Sequence, residues 1–157
     1  MWQLTLSPAK SAVLSLGRRA IHYSYQISNH CIARVTCMKD LGVMIDQYLN
    51  FNLHINNMCS SSNQRAALLF KTFQSRDPIT LFKAFTTFVR PSLEYASCVW
   101  NPHKITLINK IESVQRRFTK RLLGLSNMSY GERLIFLKCE SLEMRRMRSD
   151  LIMYYKI

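Results

Sequence analysis

Residues 104–125 read K-I-T-L-I-N-K-I-E-S-V-Q-R-R-F-T-K-R-L-L-G-L. Placed on a helix at about 100° per residue, the apolar residues fall on one side and the basic residues on the other. The apolar side consists of Ile105, Ile108, Ile111, Val114, Phe118 and Leu122. The basic side consists of Lys110, Arg116, Arg117, Lys120 and Arg121. The stretch therefore predicts an amphipathic helix that ends near Gly124.

The basic face of this helix has little negative charge near it in the sequence, because Glu112 is the only acid in the stretch. A charged helix face is often only solvated surface, and that interpretation stays open. Without acids for ion pairs, however, five cations form a positive field. The same imbalance holds for the whole chain of 157 residues, with 22 Lys+Arg, 9 Asp+Glu and a formal charge of +13. Nucleic acid is the expected partner, and an anionic membrane surface is the second candidate.

The cysteines and the hydropathy of the sequence indicate in which cellular compartment the protein is expected. Five cysteines, odd in number and without a C-x-x-C pair, indicate reduced thiols and an intracellular protein of the nucleus or cytoplasm rather than a secreted one. They are Cys31, Cys37, Cys59, Cys98 and Cys139. No Cys/His spacing predicts zinc, so we expect no metal site. No apolar run approaches the ~18 residues of a membrane span, so no spanning segment is expected. Between the two candidate partners we expect nucleic acid and not a membrane.

The first 50 residues have the period of short strands. Alternating or apolar runs at residues 2–6, 12–16, 23–27, 32–37 and 41–45 are separated by turn signals such as Ser28-Asn29-His30. We expect a small antiparallel β element over residues 1–50.

Residues 51–157 have a helical period. We predict a helix to about Phe73, an aromatic helix started by Asp77-Pro78 and interrupted at Pro91, and the basic helix. Two further helices are expected, one after a capping box at Ser129 with Leu134, Ile135 and Leu137 inside, and one capped by Ser141. The inner residues of the last helix are expected to be Leu142, Met147, Leu151 and Tyr154. The predicted fold class is α+β, with domains at 1–50 and 51–157.

Several ordered motifs carry a resemblance to a known family. They read W-Q-L-T-L-S-P-A-K at 2–10, K-D-L-G-V-M-I-D-Q-Y-L-N-F-N-L-H-I at 39–55, F-V-R-P-S-L-E-Y-A-S-C-V-W-N-P at 88–102 and I-E-S-V-Q-R-R-F-T-K-R-L-L-G-L at 111–125. S-Y-G-E-R-L at 129–134 and S-L-E-M-R-R-M-R-S-D-L at 141–151 continue the series. The chain resembles the end of the palm and the thumb of reverse transcriptases from non-LTR (LINE, jockey-type) retrotransposons.

The resemblance implies roles for individual residues. Lys10 corresponds to the lysine that is the candidate general acid for the leaving pyrophosphate. Leu41-Gly42-Val43 corresponds to the strand that grips the primer terminus. The basic helices correspond to the thumb, which implies contacts to a template–primer duplex or RNA/DNA hybrid. The implied contact residues are Arg116, Arg117, Lys120, Arg121, Arg145, Arg146 and Arg148. From the residues alone, Lys10 could equally be a surface turn lysine and Leu41-Gly42-Val43 a core strand.

Catalysis by this chain alone is not expected. Polymerase chemistry uses two metal ions held by clustered aspartates, and in the family these aspartates precede the position of Trp2. No Asp-Asp pair occurs in the sequence. We therefore expect no cofactor in this chain, although the parent family uses Mg²⁺.

Three functional hypotheses follow. The chain is a nucleic-acid-binding polymerase fragment, it supplies a thumb in trans to the missing polymerase portion, or it is a relic open reading frame with no selected function. As an alternative to the first hypothesis, the chain is a stand-alone basic protein that binds nucleic acid.

Overall fold

The computed structural model describes residues 6–17 and 23–156. Contacts divide the chain into two units, Met1–His54 and Ile55–Ile157, close to the division predicted at residue 50. The first unit contains short strands and the second contains helices. The protein is an α+β protein, as the sequence predicts. Most of the strand predicted at 2–6 lies outside the described residues.

The described residues of the first unit form six strands in three two-stranded pairs. Strands β2 (Gln26–Ile27) and β3 (His30–Cys31) pair antiparallel, as do β5 (Cys37–Asp40) and β6 (Val43–Asp46). Strand β1 (Ala12–Leu14) pairs parallel with β4 (Ala33–Val35), which differs from the antiparallel arrangement expected. Parallel pairing needs a crossover of about a dozen residues or more, and the long segment between β1 and β4 allows it.

The hairpin between β5 and β6 corrects the interpretation of Leu41-Gly42-Val43 as one strand. Leu41 and Gly42 have φ values of 43° and 89°, and Asp40 pairs with Val43 across the turn. A two-residue loop with two positive φ values is the type I′ turn, whose twist matches the twist of the flanking strands. The strand therefore begins at Val43, and Leu41 and Gly42 form the hairpin tip.

Among the described residues, the second unit contains six complete helices and all but the first three residues of α1. Helix α1 begins at the end of the first unit. It is followed by α2, by the two short helices α3 and α4, and then by the basic helix α5. The helices are α1 (Asn52–Thr72), α2 (Pro78–Phe88), α3 (Arg90–Glu94), α4 (Ser97–Trp100), α5 (Ile105–Lys120), α6 (Tyr130–Phe136) and α7 (Leu142–Lys156). Helix α5 ends before Gly124, which adopts a φ of 78°.

The helix starts predicted from the sequence are confirmed. The Asp77 carboxylate accepts hydrogen bonds from the Thr80 N–H and hydroxyl, both at 2.7 Å. Ser129 and Glu132 form a complete capping box in front of α6. The Ser141 hydroxyl accepts from the Met144 N–H at 3.2 Å at the start of α7. These side chains satisfy backbone N–H groups that have no partner inside the helix.

Three phenylalanine rings from different helices meet in the second unit. The Phe118 ring on α5 lies 4.5 Å from the Phe85 ring on α2 and 4.8 Å from the Phe70 ring on α1, centroid to centroid. Helix α5 buries most of its predicted apolar side, although Ile105 at its start is exposed. The buried members are Ile111, Val114, Phe118 and Leu122.

The predicted inner face of α7 is wrong beyond its first turn. Leu142 is buried, but Met147, Leu151 and Tyr154 are exposed. Helix α7 packs against α3, α4 and α5, and Arg146 is the buried side chain at its middle. Exposed Ile135 on α6 also differs from its predicted inward position.

We expect Phe85→Ala to destabilise the helical unit by about 3–5 kcal/mol, because a fully buried ring is removed and a cavity remains. Phe88→Ala is the matched control, since Phe88 lies on the same helix and is 60% exposed. Chemical denaturation followed by circular dichroism measures both. Equal losses for the two variants would contradict the packing of α2.

Candidate nucleic-acid interface

Four cations are presented to solvent at the carboxyl end of α5, three in its last two turns and the fourth, Arg121, at its C-cap. Arg116, Arg117, Lys120 and Arg121 are all exposed. Within residues 6–17 and 23–156, the observed ion pairs involve other arginines, and none of these four has a carboxylate partner. Lys110, one turn earlier, donates a hydrogen bond to the Asn56 side-chain oxygen on α1. The exposed face of α5 is therefore positive and uncompensated.

The single acid of α5 points inward. Glu112 is 5% exposed, and its carboxylate accepts hydrogen bonds from the Leu142 N–H and the Glu143 N–H, each at 3.2 Å. The Tyr130 hydroxyl is a third donor to it. The two backbone donors are the first residues of α7, so this carboxylate caps that helix and lies at the positive end of its dipole.

Gln115 extends the contact from α5 to the chain around α6. Its amide nitrogen donates to the Tyr130 hydroxyl oxygen at 3.1 Å and to the Glu140 carbonyl at 3.1 Å. Burial and the bond to Glu112 both raise the pKa of Tyr130 above its ordinary value. The inner side of α5 thus carries a polar network together with its apolar core residues.

Two arginines lie against the Tyr130 ring. The guanidinium carbon of Arg116 is 5.0 Å from the ring centroid and that of Arg133 is 5.5 Å from it. Arg133 is buried, and within the described part of the chain its Nε and Nη1 have no hydrogen-bond partner. Sequence reasoning did not single out Arg133, because nothing in the spacing of the α6 residues distinguishes it from a surface arginine.

A groove of about 330 Å³ lies between α1 and α5, beside the exposed cations. Its apolar wall includes Phe70 and Phe118, and its charged members are all basic. The residues that line it are Asn63, Ala66, Phe70, Val114, Arg117, Phe118, Lys120 and Arg121. The Arg121 guanidinium lies 4.3 Å from the Phe70 ring centroid, which is a cation–π distance.

The three arginines predicted on α7 differ from those on α5. Arg145 forms a bidentate pair with Glu94, and Arg148 pairs with Glu140. Arg146 is 1% exposed and donates from Nε to the Asn101 side-chain oxygen at 3.1 Å. Burial lowers the pKa of Arg146. The expectation that Arg146 contacts a ligand at the surface is therefore corrected, because its guanidinium lies inside the helical unit.

Of the candidate residues in the first unit, Lys10, Leu41 and Gly42 lie on turns, whereas Val43 begins strand β6. Lys10 is the exposed last residue of a 3₁₀ turn, Pro8–Lys10. At the hairpin tip Leu41 is 84% exposed, whereas Val43 is buried. His54 accepts from the Met44 N–H at 3.3 Å on the strand that follows this tip, and burial, with a smaller effect of Lys39, lowers the pKa of His54.

The described residues contain neither a metal-binding cluster nor a helix that could span a membrane. No cluster of three or more His, Cys, Asp or Glu side chains that could hold a metal ion occurs within them. No helix among the described residues is long and apolar enough to cross a bilayer.

The chain is an α+β protein, and its helical unit carries four exposed basic side chains that have no carboxylate partner among the described residues. Comparison with known proteins adds one relative, an uncharacterized protein of Caenorhabditis elegans. The two sequences are 28% identical over 123 residues, which is 76% of this chain. The chain spans 62% of the length of that relative. No protein-family model and no solved structure matches the chain.

We expect Glu112→Ala to destabilise the helical unit by about 3 kcal/mol or more, because three hydrogen-bond donors lose a charged acceptor. Glu143→Ala is the control, since that side chain is an exposed acid in the first turn of α7. Urea denaturation measures the free energy of unfolding of each variant. A loss for Glu112→Ala no larger than for the control would contradict the capping role.

The raised pKa of Tyr130 makes the free energy of unfolding depend on pH. Because the folded state raises its pKa, folding favours the protonated hydroxyl. The stability from this shift is fully present below the ordinary tyrosine pKa of about 10 and is lost as pH rises above it. We expect Tyr130→Phe to lose less stability than the wild type between pH 9 and pH 11, measured by urea denaturation. A larger loss in the variant would contradict the shift.

Proposed function

We propose that this chain binds the sugar–phosphate backbone of a nucleic-acid duplex through the exposed cations of α5. In this proposal it is the palm-end and thumb portion of a non-LTR retrotransposon reverse transcriptase. The observation that carries the proposal is the arrangement of α5 itself. Arg116, Arg117, Lys120 and Arg121 are exposed and unpaired with carboxylates among the described residues, while Glu112 points inward.

The spacing of the four cations suits a phosphate backbone. They cover five residue steps, about 7.5 Å of helix axis at 1.5 Å per residue. One strand of a duplex presents a phosphate about every 3.4 Å along its axis. The face therefore matches about two or three phosphates of one strand, and long flexible side chains extend its reach.

The chemistry of these side chains predicts how the duplex is recognised. Cations that neutralise phosphates release counterions and carry no base information. Binding is therefore tolerant of sequence and weakens steeply with salt. The motif resemblance favours an RNA/DNA hybrid or template–primer duplex as the particular ligand.

The remaining roles in this proposal come from the resemblance. Lys10 is the candidate proton donor to pyrophosphate, and the tip at Leu41-Gly42 with Val43 is the candidate contact to the primer terminus. Both lie in the first unit. They would act together with the magnesium-binding aspartates of a complete polymerase, so the chain alone is proposed to bind and not to polymerise.

The test is a titration of the protein into a labelled blunt RNA/DNA hybrid at several salt concentrations. We expect a slope of log K against log salt between about −2 and −3, for two or three phosphates neutralised. Arg117→Gln/Lys120→Gln should reduce the magnitude of that slope by about 2 and weaken binding at low salt.

Lys83→Gln/Lys156→Gln is the control for this experiment. It removes the same charge from exposed positions on α2 and α7. If the two double variants weaken binding equally, affinity comes from net charge alone and the proposed α5 interface is wrong. An affinity that hardly changes with salt would also overturn the proposal.

A further inference from the structure

We propose that the groove between α1 and α5 is a binding site for one unpaired nucleobase next to the bound backbone. This inference rests on the proposed function and deepens it, because it adds single-stranded nucleic acid to the ligand. The juxtaposition that carries it is an aromatic wall and a basic rim in one cavity of about 330 Å³.

The wall of the groove is suited to a flat, apolar group. Phe70 and Phe118 are 4.8 Å apart, with Ala66 on α1 and Val114 on α5 beside them. Phe70 is partly exposed, whereas Phe118 is buried and holds it in place. Every nucleobase has a π face, so stacking on such a ring is favourable and tolerant of sequence.

The rim of the groove is suited to the phosphate attached to that base. Arg117, Lys120 and Arg121 are its charged residues, and no carboxylate lines it. Asn63 supplies an amide that can both donate to and accept from a base edge. A nucleotide satisfies both parts, because its base is planar and its phosphate is anionic.

In this proposal Arg121 moves aside when a base enters the groove. Its guanidinium now lies 4.3 Å from the Phe70 ring. An incoming base takes the place of the guanidinium on the ring, and the displaced cation then binds the adjacent phosphate. The exchange replaces one contact to the π face with another and adds a charge-assisted hydrogen bond.

The size of the groove favours a nucleotide over an acidic amphipathic helix. A cavity of about 330 Å³ is at the lower end of the range for small-ligand sites. A helix in a groove instead needs a row of anchor positions spaced along its length. Of the two aromatic rings in the lining, Phe70 is partly exposed and Phe118 is buried, so the groove offers a ligand one accessible ring with cations around it.

The experiment compares a blunt RNA/DNA hybrid with the same hybrid carrying a three-nucleotide single-stranded extension. The extension contains 2-aminopurine, whose fluorescence falls when it stacks. We expect the extended hybrid to bind about 5- to 150-fold more tightly than the blunt one, with fluorescence quenched on binding. Phe70→Leu, which keeps an apolar side chain but removes the ring, should lose both effects.

Phe88→Leu is the matched control, because it removes an exposed phenyl ring elsewhere in the same unit. Thermal melting of each variant checks that it is folded. If Phe70→Leu melts early, Arg121→Gln replaces it and should reduce the preference for the extended hybrid. Equal affinity of the wild type for the two hybrids overturns the nucleobase site, as does an unchanged preference for the extended hybrid in Phe70→Leu or, where it replaces that variant, in Arg121→Gln.

The result is separable from the proposed function. Salt-sensitive binding of the blunt hybrid that depends on Arg117 and Lys120, without a gain from the extension, leaves the proposed function standing and overturns the groove. Absence of that blunt-hybrid binding overturns the proposed function. If an acidic amphipathic peptide binds in a Phe70-dependent way while the extension has no effect, the groove is a protein-docking site and the nucleobase inference is wrong.

Discussion

The Glu112 carboxylate at the start of α7 is the interaction on which the helical unit depends. A buried carboxylate is costly unless hydrogen bonds and favourable fields replace its lost water. Here the Leu142 and Glu143 N–H groups, the Tyr130 hydroxyl and the positive end of the α7 dipole replace it. One side chain thereby joins α5, α6 and α7, while Phe118 on the same helix joins α1 and α2. Helix α5 is the central element because its inner side makes both kinds of contact.

The same arrangement separates charge on α5. Its only acid is used inside the unit, so its last two turns present cations without nearby compensation. Helix α7 has as many Lys and Arg residues as α5 but behaves differently, since Arg145 and Arg148 have carboxylate partners and Arg146 is buried. Exposed ion pairs contribute little to stability, but they do cancel the local field. A cluster of arginines in the sequence is therefore available to an anionic ligand only where folding leaves it unpaired and exposed.

The first unit is organised by turns. Three strand pairs, each of two to four residues per strand, leave little surface for a core of their own. Two hairpins have loops of two residues with positive φ, at Ser28-Asn29 and at Leu41-Gly42. Asn and Gly adopt this conformation readily, whereas Leu41 does so at a steric cost. An exposed leucine held in such a conformation is the feature of this unit that most invites a functional explanation.

The fold class, the strand-rich and helical parts of the chain, and the helix starts at Asp77-Pro78 and Ser129 could be predicted from the sequence. These depend on hydrophobic period and on contacts between residues three or four apart, which short segments contain completely. The sequence also determined which side of α5 is apolar and which is basic. Other features became visible only in the folded structure. Glu112 caps α7, and β1 and β4 run parallel. Phe70 and Arg121 meet in one groove, and on α7 Arg146 is buried while the exposed residues include Met147, Leu151 and Tyr154. Each of these depends on partners distant in the chain, and no local pattern specifies which distant element will cover a residue.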